Sequence, residues 1–246
     1  MGIGGGEVKP IYVPKGKAKE YGDLAINIYT GCPHGCYYCF APSVLRKDRE
    51  KFHKNVEPRA GIVEAVKRQL EQEKITDKLI HLCFTCDPYP RAFNHEATRE
   101  TIKAIKETGN HVQILTRNVA MASFDFDLLD ENDWFGTTIT GATRDQEPNT
   151  PSDDWYKFVI LDRAKKQGIK TWVSFEPVLN ASYVLDCIVD YGNKIDKIKI
   201  GKLNYHPSHI NWYEFGHKVE ALCKEREVNY YIKEDLRKAM ENGGLE

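Results

Sequence analysis

Short apolar runs alternate with longer amphipathic stretches along nearly the whole chain. The short runs are typical of buried strands, whereas the longer stretches repeat apolar residues every three or four positions, as helices do. The pattern predicts strands at Leu24–Tyr29, Leu79–Thr85, His111–Thr116, Trp134–Thr140, Thr171–Phe175, Lys197–Ile200 and Asn229–Ile232. It predicts helices near Ala60–Gln72, Ala97–Thr108, Phe124–Asn132, Trp155–Gln167, Ala181–Tyr191 and Trp212–Arg226.

A repeated alternation of strand and helix is typical of a parallel sheet with crossover helices. Right-handed crossovers that all turn the same way curl such a sheet into a barrel or partial barrel. We therefore expect an α/β fold of the partial (β/α)6 TIM-like barrel class. The length of 246 residues suits a single domain, which we assign to residues 21–246. Residues 1–20 are predicted to be an irregular N-terminal extension, because the chain begins with a glycine-rich segment.

Polar side chains alternate with apolar ones near the carboxyl ends of three predicted strands. The pairs that share a face are Gln113 and Arg117, Thr138 and Thr140, and Ser174 and Glu176. Side chains two residues apart in a strand point the same way, so each pair lies on one side of the sheet. That side fits a barrel lumen with a polar ligand, since barrel sites lie at the carboxyl ends of strands. The alternative is that these are strand ends pointing into solvent.

Composition and charge exclude several classes of function. Hydrophobic residues make up 41% and charged residues 29% of the chain, which is ordinary for a globular protein. The formal net charge of −1 excludes a strong overall attraction to nucleic acid or to anionic membranes. No apolar run is long enough to span a bilayer, and no signal-peptide pattern is present. We therefore expect a cytoplasmic protein with no membrane partner.

Three of the seven cysteines lie close together, directly after the first predicted strand. Cys32, Cys36 and Cys39 have the spacing C-x3-C-x2-C within a loop at residues 31–40. An odd cysteine count with such a cluster indicates a metal or redox role rather than a disulfide framework. Thiolates select iron–sulfur clusters, zinc or copper(I). A structural zinc site needs a fourth ligand, and neither His34 nor His53 completes a familiar zinc spacing. A cluster held by three thiolates is the favoured interpretation, and it leaves one iron open.

The loop resembles the signature of radical S-adenosylmethionine enzymes, with Tyr38 as the aromatic residue before the last cysteine. The resemblance implies that Cys32, Cys36 and Cys39 ligate a 4Fe–4S cluster whose fourth iron binds S-adenosylmethionine. Reduction, by a partner such as flavodoxin or ferredoxin, would then release methionine and a 5′-deoxyadenosyl radical that abstracts hydrogen from a substrate. The family fold is a partial (β/α)6 barrel with the cluster loop after the first strand.

A narrower resemblance, to the spore photoproduct lyase branch of that family, extends from Leu24 to Asn204. The segments that carry it are Phe84–Tyr89, Glu96–Arg99, Leu115–Arg117 and Phe126–Leu129. The lyases carry a hydrogen-donating cysteine three positions before the aspartate that corresponds to Asp87. Phe84 stands there, with Cys83 and Cys86 on either side of the Phe84–Thr85 pair. Because phenylalanine cannot donate hydrogen as a thiol can, we expect no efficient lyase reaction.

The resemblance assigns cofactor contacts at the ends of the second and third strands. Arg117 is expected to hold the carboxylate of S-adenosylmethionine through its guanidinium, the alternative being a surface arginine. Asp87 is expected either to accept from the ligand's amino group or only to form the turn before Pro88. Cys86 is a further contact candidate. Because Cys83 lies three positions away on the predicted strand, the two cysteines are expected to face opposite sides.

The remaining cofactor candidates lie on the cluster loop and on the fourth and fifth strands. Thr138 and Thr140 suit ribose hydroxyls, although threonine also packs well in strands. Glu176 precedes Pro177, and a carboxylate there needs a ligand, a partner or water. Tyr38 is expected to touch adenine through its backbone or to pack its ring.

The substrate is open at the level of sequence. By analogy with the lyase branch, a nucleobase, nucleotide or nucleic acid is the first interpretation. The segment Arg46–Lys54 is basic and follows the cluster loop, so it is expected to bind phosphate near the active site. The alternative is that it is a solvated loop. Radical modification of a peptide or small metabolite is the second interpretation. A non-catalytic metal-binding interaction module is the third.

Overall fold

The computed structural model describes residues 9–91, 94–241 and 243. The strands are β1 (Leu24–Ile26), β2 (Leu79–Leu82), β3 (His111–Thr116), β4 (Trp134–Thr138), β5 (Lys170–Phe175), β6 (Lys197–Ile200) and β7 (Tyr230–Ile232). The helices are α1 (Ala41–Val44), α2 (Arg49–Lys54), α3 (Ile62–Gln72), α4 (Glu96–Glu107), α5 (Val119–Ala122), α6 (Asp154–Lys166), α7 (Ala181–Tyr191), α8 (Trp212–Glu225) and α9 (Glu234–Glu241). None of the helices in these ranges combines the length and the apolarity that crossing a membrane requires.

The seven strands form one parallel sheet in the order of the chain, β1 to β7. The sheet curves into a half-barrel, and among the described residues no strand ladder joins β7 to β1. All seven strands occur where the sequence pattern places them, so the predicted α/β fold with a partial barrel is confirmed. The carboxyl ends of the strands meet along one edge, and the loops that follow them carry the site described below.

Alternate side chains of the sheet separate an apolar core from a polar lumen. Ile80, Val173 and Ile198 are fully buried and belong to the hydrophobic core. Their neighbours in sequence point to the other face of the sheet, as the two-residue period requires. On that face His81 pairs in register with Gln113, and the Gln113 amide donates to the His81 ring. The lumen is therefore lined by hydrogen-bonding groups rather than by aliphatic side chains alone.

Several predicted strands end earlier than expected. β1 stops at Ile26, β2 at Leu82 and β4 at Thr138, so the polar residues after them lie in loops. The early end of β2 has a physical reason, because backbone groups beyond it bind a side chain instead of a neighbouring strand. For example, the amides of Phe84 and Thr85 both donate to the side-chain oxygen of Asn27.

The helix predicted at Phe124–Asn132 is wrong. The chain instead forms the short helix α5 and then a 3-10 turn at Ser123–Leu128. Aspartates in this segment bind side chains elsewhere in the fold: Asp125 accepts from Tyr89 and Arg99, and Asp127 accepts from Arg99. Such competing polar contacts favour turns over a regular helix.

The division between an N-terminal extension at residues 1–20 and a domain at residues 21–246 stays a prediction. Residues 1–8 lie outside the described residues. Within the described part, Tyr12 forms an antiparallel bridge with Ala25 of β1, and Gly16–Glu20 forms a 3-10 helix. The segment before β1 is therefore docked on the sheet.

Candidate active site

The cysteine loop follows β1 and is clamped by helix α2. Arg49 donates to the carbonyls of Cys36, Tyr37 and Cys39 at 2.5, 2.8 and 3.0 Å. The ring of His53 lies 2.7 Å from the carbonyl oxygen of Cys32. These bonds hold the loop by its backbone and leave its three thiols free.

Close packing of the loop against α2 explains the glycine at its start. A Cβ atom at Gly31 would lie 2.3 Å from the carbonyl oxygen of Phe52, which no other residue tolerates. The amide of Cys32 also donates to that oxygen, at 3.4 Å. Gly31 thus allows the first cysteine to sit directly against the helix.

The donor set fits a multi-iron cluster better than a single ion. On one tetrahedral zinc, thiolate sulfurs would lie about 3.8 Å apart, given Zn–S bonds of ~2.3 Å. Among the described residues, Cys32, Cys36 and Cys39 do not form a group whose ligand atoms all lie within 4.8 Å of one another. Burial raises the pKa of the Cys39 thiol to about 11, so metal binding must displace protons.

Within the described residues, neither histidine near the loop forms a group of metal-ligand type with the loop cysteines. His34 is fully buried, and its Nδ1 lies 3.4 Å from an oxygen of Asp87. Burial lowers its pKa, so it is neutral at neutral pH. His53 uses its Nδ1 on the loop backbone. The described part of the loop therefore offers three thiols and an open position, as a substrate-binding cluster requires.

One other group of metal-ligand type lies at the opposite end of the barrel. In the described ranges it consists of His111, Asp130 and Asp133, near the amino ends of β3 and β4. The ammonium of Lys106 lies 2.6 Å from Asp130 and 2.5 Å from Asp133. This ammonium forms ion pairs with both carboxylates, so the group is an ion-pair cluster that ties α4 to the sheet.

Arg117 lies beside the cysteine loop, not on the surface. Its side chain is buried, and Nη1 lies 3.4 Å from Sγ of Cys36. The same nitrogen donates to the Tyr38 hydroxyl, while Nη2 forms an ion pair with Glu147. Burial opposes the charge, but Tyr38, Cys36 and Glu147 raise the pKa of Arg117 well above its ordinary value. The Arg117 guanidinium therefore stays charged, and it lies beside Cys36 of the cysteine loop.

Glu147 is the main site residue that sequence reasoning missed. It lies in the loop between β4 and α6, and it accepts hydrogen bonds from Tyr38 and from Thr140, the latter at 2.7 Å. Burial raises its pKa, but Arg117 more than offsets this effect, so the pKa of Glu147 lies below its usual range. The residue belongs to no strand or helix, so no periodic signal marks it.

Asp87 joins the turn after β2 to the end of β3. Its carboxylate accepts from the Thr116 hydroxyl at 2.6 Å, the Tyr89 amide at 2.8 Å and the Arg117 amide at 2.9 Å. These bonds support the turn-forming interpretation directly. The bond to the Arg117 amide also holds the backbone of Arg117 beside the cysteine loop, so Asp87 is a positioning residue of the site. Its contact with a ligand amino group stays a prediction.

Thr138, the last residue of β4, and Thr140, two residues after it, lie in different environments. Thr140 is buried and supports Glu147. Thr138 is partly buried, and its carbonyl accepts from the ammonium of Lys157 at 3.0 Å. Burial and the neighbouring Arg117 lower the pKa of Lys157. The contacts place Thr140 in the group around Arg117, and the ribose role of both threonines stays a prediction.

Glu176 belongs to a second polar group, inside the lumen. Both of its carboxylate oxygens accept from the ammonium of Lys233, at 2.8 and 2.7 Å, and the Tyr21 hydroxyl donates to it. A Cβ atom at Gly201 would lie 2.8 Å from its carboxyl carbon, so that glycine makes room for it. Of the predicted cofactor contacts, Tyr38, Asp87 and Thr140 lie in the group around Arg117, and Glu176 lies in this second group.

The lumen group also contains a buried lysine among aromatic rings. The Lys199 ammonium donates to the carbonyl of Glu20 at 2.6 Å and lies 4.6 Å from the Tyr21 ring centre and 5.6 Å from that of Trp172. Burial, together with the charges of Lys197 and Lys233, lowers the pKa of Lys199 to about 8.

His81 of β2 and Phe84 in the turn after it also contact the lumen group. Their ring centres are 4.3 Å apart. Burial and the charge of Lys199 lower the pKa of His81 to about 3, so its ring is neutral. Tyr21 contacts both His81 and Phe84, because its ring centre lies 5.6 Å from the His81 ring and 5.7 Å from the Phe84 ring.

The expectation that Cys83 and Cys86 face opposite sides of a strand is wrong. β2 ends at Leu82, so both cysteines lie in the turn that follows and not on a strand. The amide of Tyr29 donates to Sγ of Cys86 at 3.4 Å. A contact of Cys86 with the cofactor stays a prediction.

Two of the five lysine and arginine side chains in the segment Arg46–Lys54 bind backbone carbonyls of the fold. Arg49 clamps the cysteine loop as described, and the Lys47 ammonium donates to the carbonyl of Thr30 at 2.8 Å. Lys54 forms an exposed ion pair with Glu50. Arg46 and Lys51 are exposed, and their side chains make no hydrogen bond or ion pair within the described residues.

Comparisons with known proteins agree with this geometry. The model of the Radical SAM superfamily matches residues 26–180, more than half of the chain. A search of curated protein sequences finds no match.

The fold resembles solved structures at low sequence identity. A spore photoproduct lyase mutant superposes with a TM-score of 0.67 at 12% identity, covering 89% of this chain and 78% of that chain. A lyase mutant with bound S-adenosylmethionine and dinucleoside spore photoproduct gives 0.66 at 11% identity, with the same coverages. SuiB from Streptococcus suis, bound to its precursor peptide SuiA, gives 0.61 at 16% identity, covering 92% of this chain and 53% of that chain. At these identities the likeness shows a common fold.

Proposed function

This chain belongs to the radical SAM superfamily, and from that premise we propose that it abstracts a hydrogen atom from a nucleobase or nucleotide held in the lumen. Enzymes of this family use a 4Fe–4S cluster, S-adenosylmethionine and an external reductant, and the chain is such an enzyme. The observation that carries the proposal is the contact of Arg117 with Cys36, Tyr38 and Glu147. It supports the proposal because a guanidinium, a group suited to binding the carboxylate of S-adenosylmethionine, lies beside the cysteine loop.

The three loop cysteines hold the cluster in this proposal, and α2 fixes their spacing. When bound and reduced, the cluster supplies the electron that splits S-adenosylmethionine into methionine and a 5′-deoxyadenosyl radical. The protein's own task is to orient the cosubstrate and to keep the site dry. The three hydrogen bonds of Arg49 to loop carbonyls and the close contact at Gly31 hold the loop for that task.

Arg117 holds the methionyl carboxylate in this proposal, and Glu147 keeps the guanidinium oriented. A guanidinium forms two parallel hydrogen bonds to a carboxylate, which fixes both distance and angle. Glu147, Tyr38 and Thr140 form one hydrogen-bonded group, so the arginine is aimed before the ligand arrives. Preorganisation of this kind lowers the entropy lost on binding.

The lumen suits a planar, polar substrate. The partly buried rings of Phe84 and Tyr21 are the candidates for stacking, and Lys199 offers a buried cation with a low pKa. Stacking on aromatic rings with polar contacts at the edge is how proteins bind bases that leave a duplex or strand. Arg46 and Lys51, both exposed beside the loop, are placed to meet phosphate.

A peptide substrate is the second candidate. It is supported by the likeness to SuiB, which is bound to a precursor peptide. The proposed electron donor is a flavodoxin or ferredoxin in either case. A cytoplasmic location, where thiols stay reduced, fits both candidates.

Deuterium transfer separates the substrate classes. Anaerobically reconstituted protein is reduced in the presence of S-adenosylmethionine with either fully deuterated oligonucleotides and nucleotides or a fully deuterated peptide mixture. The measurement is deuterium in the 5′-deoxyadenosine product, by mass spectrometry, with Cys36→Ala as the inactive control. We expect deuterium from the nucleotide pool alone. Transfer from peptides alone would favour the second candidate, and transfer from neither would contradict the proposed substrate class.

A further inference from the structure

Tyr205, in the loop after β6, displays its aromatic ring to solvent. The residue is 86% exposed, more than any other large hydrophobic residue in the described ranges. Its backbone has a φ of 64°, in the left-handed region that bulky residues rarely adopt. An exposed ring and a strained backbone both cost free energy in the unbound protein. Strained residues cluster at binding sites, so this ring is a candidate for contact with a partner.

The residue before Tyr205 is fixed by a network of side chains. The side-chain oxygen of Asn204 accepts from the Lys17 ammonium at 2.7 Å, and its amide nitrogen donates to Asp235 at 2.7 Å. The same ammonium forms an ion pair with Asp235 at 2.9 Å and lies 5.7 Å from the centre of the Tyr205 ring. Lys17 therefore holds the loop beside the ring, while the ring itself stays largely exposed.

The residue after Tyr205 connects this loop to the cysteine loop. The ring centre of His206 lies 5.0 Å from that of Tyr37, in an edge-to-face contact. The Tyr37 ring lies 5.5 Å from the Tyr38 ring, and the Tyr38 hydroxyl accepts from Arg117. His206, Tyr37 and Tyr38 are all partly exposed. A row of rings thus leads from Tyr205 to the group around Arg117.

We propose that Tyr205, His206 and Tyr37 form a stacking platform for single-stranded nucleic acid, which holds the nucleotides next to the reacting base. Bases stack on aromatic side chains whatever their sequence, because every base has a π face. The platform lies outside the lumen, so it serves a substrate that extends beyond the reacting nucleotide. The inference rests on the proposed function and narrows the substrate from a free nucleotide to a nucleotide within a strand.

Cations that suit the phosphates of such a strand lie next to the platform. Arg49 of α2 donates to the carbonyl of Tyr37 at 2.8 Å, which fixes the helix against the platform. The exposed Lys51 is two residues further along the same helix, and the exposed Arg46 comes shortly before it. Aromatic rings beside a basic surface are the combination that binds single strands, and it favours nucleic acid over a peptide.

The test is binding of a labelled, mixed-sequence single-stranded oligonucleotide to the anaerobically reconstituted protein with S-adenosylmethionine, at two salt concentrations. Tyr205→Gly removes the ring, and it should unfold near the wild-type urea concentration because glycine adopts the left-handed conformation without strain. Tyr205→Phe keeps the ring. Phe124→Ala is the control, since it removes a ring that is 74% exposed from the 3-10 turn after β3.

Tyr205→Gly should weaken oligonucleotide binding about tenfold, as expected for the loss of one stacked base. The loss should be equal at both salt concentrations, because no charge is removed. Tyr205→Phe should restore most of the affinity, and Phe124→Ala should bind as the wild type does.

Unchanged affinity in Tyr205→Gly, an equal loss in Phe124→Ala, or no oligonucleotide binding by the wild type would overturn the platform. Weaker binding of a labelled peptide pool, with oligonucleotide binding unchanged, would also overturn it and assign the rings to a peptide. Deuterium transfer tests the proposed function separately. Transfer from nucleotides with unchanged affinity in Tyr205→Gly would remove only the platform. Lower affinity in Tyr205→Gly with no transfer from nucleotides would support the platform and contradict only the proposed reaction.

Discussion

Arg117 and Glu147 are 30 residues apart in the chain and form a buried ion pair next to Cys36. The pair joins the end of β3 to the loop after β4, so it fixes the distance between two loops at the carboxyl edge of the barrel. Removal of one partner leaves the other charge buried and unpaired, which is far more costly than the loss of an exposed pair.

Glu147→Ala should therefore destabilise the protein by about 3–5 kcal/mol. Glu147→Gln should cost less, because its amide oxygen still accepts from Tyr38 and Thr140. Glu50→Ala, which removes the exposed ion pair with Lys54, is the control and should cost at most about 1 kcal/mol. Urea unfolding under anaerobic conditions measures all three variants. Equal losses for Glu147→Ala and Glu50→Ala would contradict the role of the buried pair.

Arg117→Lys should weaken S-adenosylmethionine binding about tenfold or more, because lysine lacks the bidentate fork. The iron content should stay at the wild-type level, since Arg117 donates to a loop sulfur but is no ligand. Equilibrium binding to the reconstituted protein measures the affinity. Arg99→Lys, which alters an arginine bound to Asp127 away from the loop, is the matched control. Unchanged affinity in Arg117→Lys would remove the arginine from the cosubstrate site.

We expect the basic residues beside the cysteine loop to differ in role, with one affecting iron content and the others affecting oligonucleotide binding. Arg49→Ala should lower the iron content, because it removes three hydrogen bonds from the carbonyls of the loop. The double variant Arg46→Ala and Lys51→Ala should keep its iron and lose oligonucleotide binding. Removal of one phosphate-binding side chain should reduce the salt slope by about one unit, measured by titrating labelled oligonucleotides at two salt concentrations. Binding that does not change in the double variant would leave this segment as a solvated loop.

The parts of the fold that could be predicted from the sequence are those set by local pattern. The seven strands follow from apolar periodicity, and the cysteine loop follows from spacing within ten residues. The roles of Glu147 and Lys233 could not be predicted, because their partners, Arg117 and Glu176, lie on other strands or loops. Only the tertiary fold brings such pairs together. The turn that holds Cys83 and Cys86 was not predicted for a different reason, since the side chain of Asn27 binds the amides of Phe84 and Thr85 after the strand ends at Leu82.

Phe84 should prevent efficient repair of the thymine dimer that spore photoproduct lyases act on. By the resemblance to the lyases it stands at the position of their hydrogen-donating cysteine, and its ring packs against His81 at an interplanar angle of 30°. The dinucleoside spore photoproduct should therefore give little or no thymine product with the reduced enzyme. Phe84→Cys, which restores a thiol at this position, should increase product formation. Chromatography of the reaction detects thymine release, and rapid stoichiometric conversion by the wild type would contradict the prediction.

The formation of 5′-deoxyadenosine by the reduced, anaerobically reconstituted protein is the measurement that decides whether the loop is a radical centre. Wild type should bind iron and sulfide, turn brown and convert S-adenosylmethionine to methionine and 5′-deoxyadenosine. Changing Cys32, Cys36 or Cys39 to Ala should abolish both colour and product, whereas Cys187→Ala should leave both unchanged. Full iron content and undiminished 5′-deoxyadenosine in the triple variant would contradict the assignment of the cluster to these three cysteines.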